Sequence, residues 1–275
     1  MRAIVTGGNS GVGKATAAAL AAAGHTVTIA CRTIPKAERA AAGMSGDVEV
    51  RYLDLADLSS VRAFADSVES VDVLVNNAGV LGLPLTRTAD GFEAHMGINH
   101  LGHFALTCQL GDKITDRVIS VSSAMYMFGR IHLDDLNWHT REYSMWAAYE
   151  QSKLANMLFI NELARRGVQA YASDPGIADT EITRDSSGVL HWLGKHLFQY
   201  VGQSPPYAAR ATIQAVTTVL PSGSYLAPRF NVRGKPKLAE PRKKALDPAM
   251  ARRLWGLSAE LTGCDWQGHP SRQAT

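Results

Sequence analysis

The 275-residue sequence predicts an α/β fold built on a doubly wound parallel sheet. Short apolar, β-branched runs alternate with helical stretches along the chain, and a glycine-rich loop joins the first run to the first helix. Strands separated by long helical connections demand crossovers, so the sheet should be parallel and covered on both faces. The strands are expected at 3–6, 26–30, 48–53, 71–75, 117–121 and 168–172. Between the first two, Lys14 to Ala23 is mostly Ala and Leu, strong helix formers, with Gly24 where a C-terminal cap belongs. Asp57 can cap a helix on which Leu58, Val61, Ala65 and Val68 recur at helical spacing. Trp146 to Arg166 forms another, ended by Gly167. No repeat, heptad run or Pro/Gly/Ser linker divides this plan, so residues 1–275 are expected to form a single domain.

Composition narrows the function classes. A formal charge of +3 is too small for a nucleic-acid binder with a basic stripe. Cys31, Cys108 and Cys264 are too few and too scattered for a disulfide framework, which fits a reducing compartment. No run approaches the length of a membrane-spanning helix, and the chain enters a strand-like run at its start. A soluble, cytoplasmic protein without a membrane anchor is expected. Charge is uneven: 229–253 holds nine basic residues against Glu240 and Asp247, a local +7, which leaves the rest at −4. Pro236, Pro241 and Pro248 break up this stretch, so it reads as a solvated connecting segment of a C-terminal extension rather than a membrane-surface helix.

The loop Thr6-Gly7-Gly8-Asn9-Ser10-Gly11-Val12-Gly13 lies between a strand and a helix. Glycines there permit a tight turn and a close approach of backbone to a pyrophosphate at the positive end of the helix, as in a Rossmann fold. The candidate contacts are Gly7, Asn9, Ser10, Gly11, Val12 and Gly13. At the end of the second strand an acidic residue would accept from a ribose 2′-hydroxyl; Arg32 stands there instead and suits a 2′-phosphate. NADP(H) is therefore expected over NAD(H), which remains possible. Asp54 and Leu55 should meet the adenine, and Asn76-Asn77-Ala78-Gly79 ends the fourth strand at the same edge. Further along come Asn99, Ser123, Tyr149 and Lys153. Tyr149 and Lys153 are four apart and share a helix face, where an ammonium would lower the phenol pKa toward the range useful for proton transfer. Ser123 can bond a substrate oxygen while Tyr149 delivers its proton.

These motifs, with Pro175-Gly176 and Thr180, resemble the short-chain dehydrogenase/reductase family over essentially the whole chain. The resemblance implies that Ser123, Tyr149 and Lys153 are the catalytic triad and that Asn99 anchors a water linking Lys153 to solvent. It implies too that Lys153 holds the nicotinamide ribose and that Ile177 and Thr180 touch the carboxamide, so that Asn77, Ala78, Gly79, Tyr149, Lys153, Pro175, Gly176, Ile177 and Thr180 line the cofactor. Ile98-Asn99-His100-Leu101-Gly102-His103-Phe104, Tyr149-x-x-Ser152-Lys153-Leu154-Ala155-Asn156 and Arg253-Leu254-Trp255 are similar to the branch of retinol dehydrogenases, WW-domain oxidoreductase and light-dependent protochlorophyllide reductase. Asp174 departs from the His or Asn usual before Pro-Gly in the family. A homodimer or homotetramer is implied by the same resemblance.

Residues 181–206, apolar and helically spaced around Trp192, Leu193, Leu197 and Phe198, fall where the family carries its substrate lid. Trp192, with Tyr126, Met127 and Trp146 opposite, is expected to line an apolar substrate site. His95, His100 and His103 lack a convincing ligand set, so no metal is expected, and Asp134-Asp135 reads as a solvated loop. The expected activity is NADPH-preferring interconversion of a carbonyl and an alcohol on an apolar small molecule. The alternatives are a C=C reductase using the same Tyr and Lys, or a non-catalytic NADP(H) sensor.

Overall fold

The computed structural model describes residues 1–177, 203–230 and 232–267. One eight-stranded sheet organises them: β1 (Arg2–Thr6), β2 (Thr26–Cys31), β3 (Val48–Tyr52), β4 (Val71–Asn76), β5 (Ile114–Val121), β6 (Gln169–Ser173), β7 (Tyr225–Pro228) and β8 (Pro236–Ala239). Their order across the sheet is β3-β2-β1-β4-β5-β6-β7-β8, with every pairing parallel except β7 with β8. The first six strands and their crossovers match the sequence reading. Chain order reverses at β1, between β2 and β4, and at such a switch point the loops leaving the strands part to open a crevice.

Both faces are covered because the strands carry apolar side chains on both. On β4, Leu74 packs into one core with Leu101, Phe104 and Leu158, while Val73 and Val75 enter the other with Leu20, Ile29 and Tyr171. The first face is covered by α3 (Leu58–Asp66), α4, α5 (Met145–Arg165) and the C-terminal α8 (Pro248–Thr262). The composite α4 joins helical Ala94–Met96, a π-helical turn Gly97–Leu101 and helical Gly102–Leu110. On the second face lie α1 (Gly11–Ala22), α2 (Ile34–Ala41) and α7 (Arg210–Thr217), the last preceded by the short α6 (Pro205–Ala208). Local signals read from the sequence act as expected. Asp57 Oδ1 accepts from Ser59 N at 2.8 Å and from Ser60 N at 3.4 Å, and Gly24 turns the chain out of α1 at φ +83°.

The segment 229–253 is not a plain connector. It contributes the edge strand β8, a short 3-10 turn at Lys243–Leu246 and the start of α8, whose first turn is capped by Asp247 with Pro248 as the first helical residue. Pro236 and Pro248 open β8 and α8, where a missing N–H does no harm, and Pro241 lies in the loop between β8 and the 3-10 turn. Asp135 is likewise no solvated loop residue. It is buried and gathers His139 N, the N–H and hydroxyl of Thr140, and Arg141 N and Nε. Burial raises its carboxyl, but those donors together pull it well below the usual range. Of the expected lid, only 203–206 belong to the described residues; Trp192 and the other apolar residues named for it do not. Among the described residues, no helix is long and apolar enough to cross a membrane.

Candidate active site

The crevice is built first at the loop after β1. Gly7 and Gly11 take φ of +65° and +54°, a region closed to most side chains. At Gly13 a Cβ would run into the Asn77 side chain and the Gly7 carbonyl, so glycine is required for this loop to lie against the end of β4. Thr6 locks the two together. Its hydroxyl accepts from Asn77 N and Ala78 N, each at 2.9 Å, and its carbonyl accepts from Asn77 Nδ2 at 2.7 Å. Ser10 at the N-cap of α1 makes no side-chain bond to the first turn, so no cap consumes the donors of that turn. Arg32 is exposed at the carboxyl end of β2, and Asp54 and Leu55 follow β3 at the same sheet edge.

The π-helical turn of α4 carries Asn99 into the interior. Its carboxamide clamps Val80, accepting from Val80 N at 2.8 Å and donating to Val80 O at 3.1 Å and Ser152 Oγ at 3.0 Å. The Asn99 carbonyl accepts from His103 Nδ1 at 3.1 Å. A carbonyl can only accept, so that nitrogen carries the proton and His103 Nε2 accepts from the Thr6 hydroxyl at 2.8 Å. Burial, with Lys153 acting in the same sense, pushes the His103 imidazolium down to about 4, which keeps the ring neutral. The three histidines therefore go separate ways: His100 bonds Ser258 Oγ at 3.0 Å, and His95 bonds Glu93. Among the described residues, no group of three His, Cys, Asp or Glu side chains could hold a metal.

Tyr149 and Lys153 project from one face of α5, both buried, with the ammonium 5.6 Å from the centre of the phenol ring. Lys153 Nζ donates to Val121 O at 3.0 Å, and Ser122 Oγ donates to Lys153 O at 3.0 Å, which ties the helix to the end of β5. Ser123 caps the turn that follows, its Oγ accepting from Met125 N at 3.3 Å, and its hydroxyl lies on the phenol side of that turn, where it favours the ionised form of Tyr149. Burial lowers the Lys153 ammonium to about 8, against the pull of Asp174. The phenol does not sit low, as the sequence suggested. Burial raises it above the ordinary phenol range, the Ser123 hydroxyl offsets only part of this, and the Asp174 carboxyl adds to the rise.

The wall beyond β6 is strapped from outside. Gln203 Nε2 donates to Pro175 O at 3.1 Å and its Oε1 accepts from Gly234 N at 3.0 Å, while Gly176 turns at φ +69°. Ile177 N donates to Val232 O at 2.9 Å, so a carboxamide could take that donor only by displacing Val232; the Ile177 carbonyl accepts from Gln203 N at 2.7 Å and keeps a lone pair. Thr180 lies outside the described residues. Tyr126 does not line a substrate wall. It is buried, packs edge-on against Tyr225 at 5.8 Å and accepts from Arg242 N at 3.0 Å. Trp146 remains partly exposed at the start of α5, and Met127 packs against the core.

Sequence reasoning missed a buried cluster next to the phenol. Glu93 Oε1 lies 2.8 Å from His95 Nδ1 and accepts from the Tyr143 hydroxyl at 3.0 Å, while the His95 ring meets the Tyr149 ring edge-on at 6.3 Å. The proximity of Glu93 and His95 in sequence was a faint signal. Tyr143, fifty residues away, gave none, and neither did Gln203.

Comparison with known proteins decides the family. Residues 1–135 match the short chain dehydrogenase family model. Human retinol dehydrogenase 13 is 42% identical over 95% of this chain and 84% of its own length. The chain belongs to the short-chain dehydrogenase family. Within it, mouse retinol dehydrogenase 11 is 41% identical over 96% of this chain and 87% of its own, and the chain falls in the retinol dehydrogenase branch. A crystal structure of an uncharacterised protein from Mycobacterium paratuberculosis superposes with a TM-score of 0.85 at 45% identity, covering 96% of this chain and 94% of that one. The class of chemistry in this short-chain dehydrogenase is that of an oxidoreductase acting between CH–OH and C=O.

Proposed function

We propose that the chain is an NADPH-preferring oxidoreductase that interconverts a carbonyl and an alcohol on an apolar small molecule, with Tyr149 as the general acid and base. The observation that carries this reading is the grouping of the Ser123 hydroxyl, the Tyr149 phenol and the Lys153 ammonium beside the glycine loop at the switch point of the sheet.

The residues present fit a nicotinamide dinucleotide. The first turn of α1 keeps its donors uncapped, and the glycine loop leaves no side chain between that turn and Asn77. Gly7, Asn9, Ser10, Gly11, Val12 and Gly13 would hold the pyrophosphate, Arg32 the 2′-phosphate, Asp54 and Leu55 the adenine. Asn77, Ala78 and Gly79 would flank the nicotinamide ribose, and Pro175, Gly176 and Ile177 the carboxamide side. When bound, the group supplies or takes the hydride and, oxidised, adds a positive charge to the site. The chain does the rest. Ser123 holds the substrate oxygen through its hydroxyl proton. Tyr149 gives that oxygen a proton in reduction and takes it back in oxidation. Lys153, facing the phenol ring, stabilises the phenolate left behind, and Asn99 holds the Gly79–Val80 turn over the ammonium.

The test is NADPH consumption against a panel of apolar aldehydes and ketones that includes retinal. Wild type is expected to turn over at least one, with Tyr149→Phe slower by about 10²–10⁴-fold while NADPH binding is kept. Tight NADPH binding with no turnover that Tyr149→Phe abolishes would sink the enzyme reading in favour of a cofactor sensor.

A further inference from the structure

His103 is a buried imidazole to which the proposed chemistry gives no part. Its two nitrogens face different segments: Nδ1 lies 3.1 Å from the Asn99 carbonyl and Nε2 lies 2.8 Å from the Thr6 hydroxyl. Those two partners hold opposite ends of one loop. The Thr6 oxygen accepts from Asn77 N and Ala78 N, each at 2.9 Å, and the Asn99 carboxamide grips Val80 through its N–H at 2.8 Å and its carbonyl at 3.1 Å. Between them, a Cβ on Gly79 would lie 3.2 Å from Asn99 Oδ1 and 3.7 Å from Lys153 Nζ, so the loop passes against the ammonium. We propose that His103 is a positioning residue: it fixes the span between Thr6 and Asn99, and so sets where loop 77–80 presents a nicotinamide ribose to Lys153 and Tyr149. The inference rests on the function proposed above.

Hydrogen-bond counting gives the bridge its direction. A hydroxyl oxygen has two lone pairs, and on Thr6 both are used by Asn77 N and Ala78 N, so the hydroxyl donates to Nε2. The Asn99 carbonyl can only accept, so the one ring proton sits on Nδ1. The ring is therefore neutral, which is also the form that burial favours. Asn99 belongs to the π-helical turn Gly97–Leu101, where the regular helical ladder is interrupted, and the imidazole on its carbonyl holds that turn. From the same residue the path continues to the phenol's helix: Asn99 Nδ2 donates to Ser152 Oγ at 3.0 Å, and Ser152 Oγ donates to the Tyr149 carbonyl at 2.7 Å. A histidine that merely filled the core would stabilise the fold without favouring either half of the cofactor. One that sets loop 77–80 acts on the nicotinamide half.

His103→Phe keeps a ring and loses both bonds, whereas His103→Gln keeps an amide oxygen able to accept from Thr6. Titration calorimetry would compare NADPH with adenosine 2′,5′-bisphosphate, which carries the 2′-phosphate end without the nicotinamide. His103→Phe should weaken NADPH by about 3- to 10-fold and leave the bisphosphate unchanged. With a carbonyl substrate, kcat should fall by about 10- to 100-fold while the carbonyl KM stays within about 3-fold, and His103→Gln should recover most of both losses. If His103→Phe does not fold, His103→Asn, too short to reach Thr6, takes its place in the same comparisons. Equal weakening of the two nucleotides, weakening of neither, or a Gln variant no better than the one it is compared with would overturn the proposal. The expected split between the nucleotides, in a protein that turns over no carbonyl, would support His103 and fault the proposed activity alone. A wild type that binds neither nucleotide would overturn both.

Discussion

The proposed preference for NADPH turns on a single side chain, Arg32. Exposed beyond Cys31 at the end of β2, it can give a 2′-phosphate charge-assisted hydrogen bonds, but it has nothing comparable to offer a ribose hydroxyl. Such a bond contributes roughly 1.5–3 kcal/mol, so Arg32→Ala should weaken NADPH binding by about 10- to 100-fold and leave NADH within about 2-fold, measured by titration calorimetry. Equal losses for both would remove the 2′-phosphate assignment. Residues of this kind are legible in a sequence because their position on a strand end fixes their place in the crevice. Tyr149 and Lys153 are legible for a similar reason, since a spacing of four sets one helix face. Asp174 was legible only as a departure from a pattern, because its burial and its bond to Tyr225 depend on how β6 meets β7. Tyr126 misled: an aromatic three residues after Ser123 lies close to the site in sequence, yet its 3-10 turn swings the ring toward Tyr225 instead.

At the scale of elements, caps and apolar runs carried the signal. Asp57 is the clearest instance, with its extended backbone and a carboxylate oxygen over the first two free N–H groups of α3. Asp57→Ala should destabilise the fold by about 1 kcal/mol, seen as a lower urea midpoint with an unchanged slope. Loss of activity without loss of stability would instead mean that Asp57 serves the crevice. Five of the six strands found from the sequence are runs with apolar side chains in both cores, and the edge strand β3 turns only Val48 and Val50 toward one of them. β7 and β8 escaped notice for physical reasons: each has four residues, β7 ends in Pro228, and β8 opens on Pro236 and alternates Lys237 with Leu238. An edge strand needs no apolar outer face, so β8 carries charge that reads as loop. The π-helical turn at Asn99 is equally hidden, because the residues Gly97–Leu101 fit an ordinary helix until the His103 ring takes the Asn99 carbonyl.

For the whole molecule, the question is whether the basic C-terminal stretch is an appendage or part of the domain. Its charges lie outward, but α8 sends Trp255 inward, where the ring meets Phe104 edge-on at 4.9 Å and stacks on Phe159 at 5.7 Å. Trp255 Nε1 donates to Asp265 Oδ1 at 2.8 Å, and the Arg166 guanidinium lies 4.0 Å from the ring centre. Phe104 and Phe159 belong to α4 and α5, the helices that carry Asn99, Tyr149 and Lys153, so α8 closes the core beneath the candidate site. Burying a Trp among such partners makes Trp255→Ala cost about 3–5 kcal/mol. If the chain folds as one cooperative unit, urea unfolding of the variant, followed by circular dichroism and by the fluorescence of the remaining tryptophans, should give a single coincident transition at a lower midpoint with the wild-type slope. An α8 that merely decorates the domain would behave differently: helix signal would be lost first, the slope would fall, and NADPH binding would survive the early phase. The same measurement bears on how the +7 of 229–253 is tolerated, since a helix anchored by its buried face, Ala251, Leu254, Trp255 and Ser258, leaves Arg252 and Arg253 exposed to water.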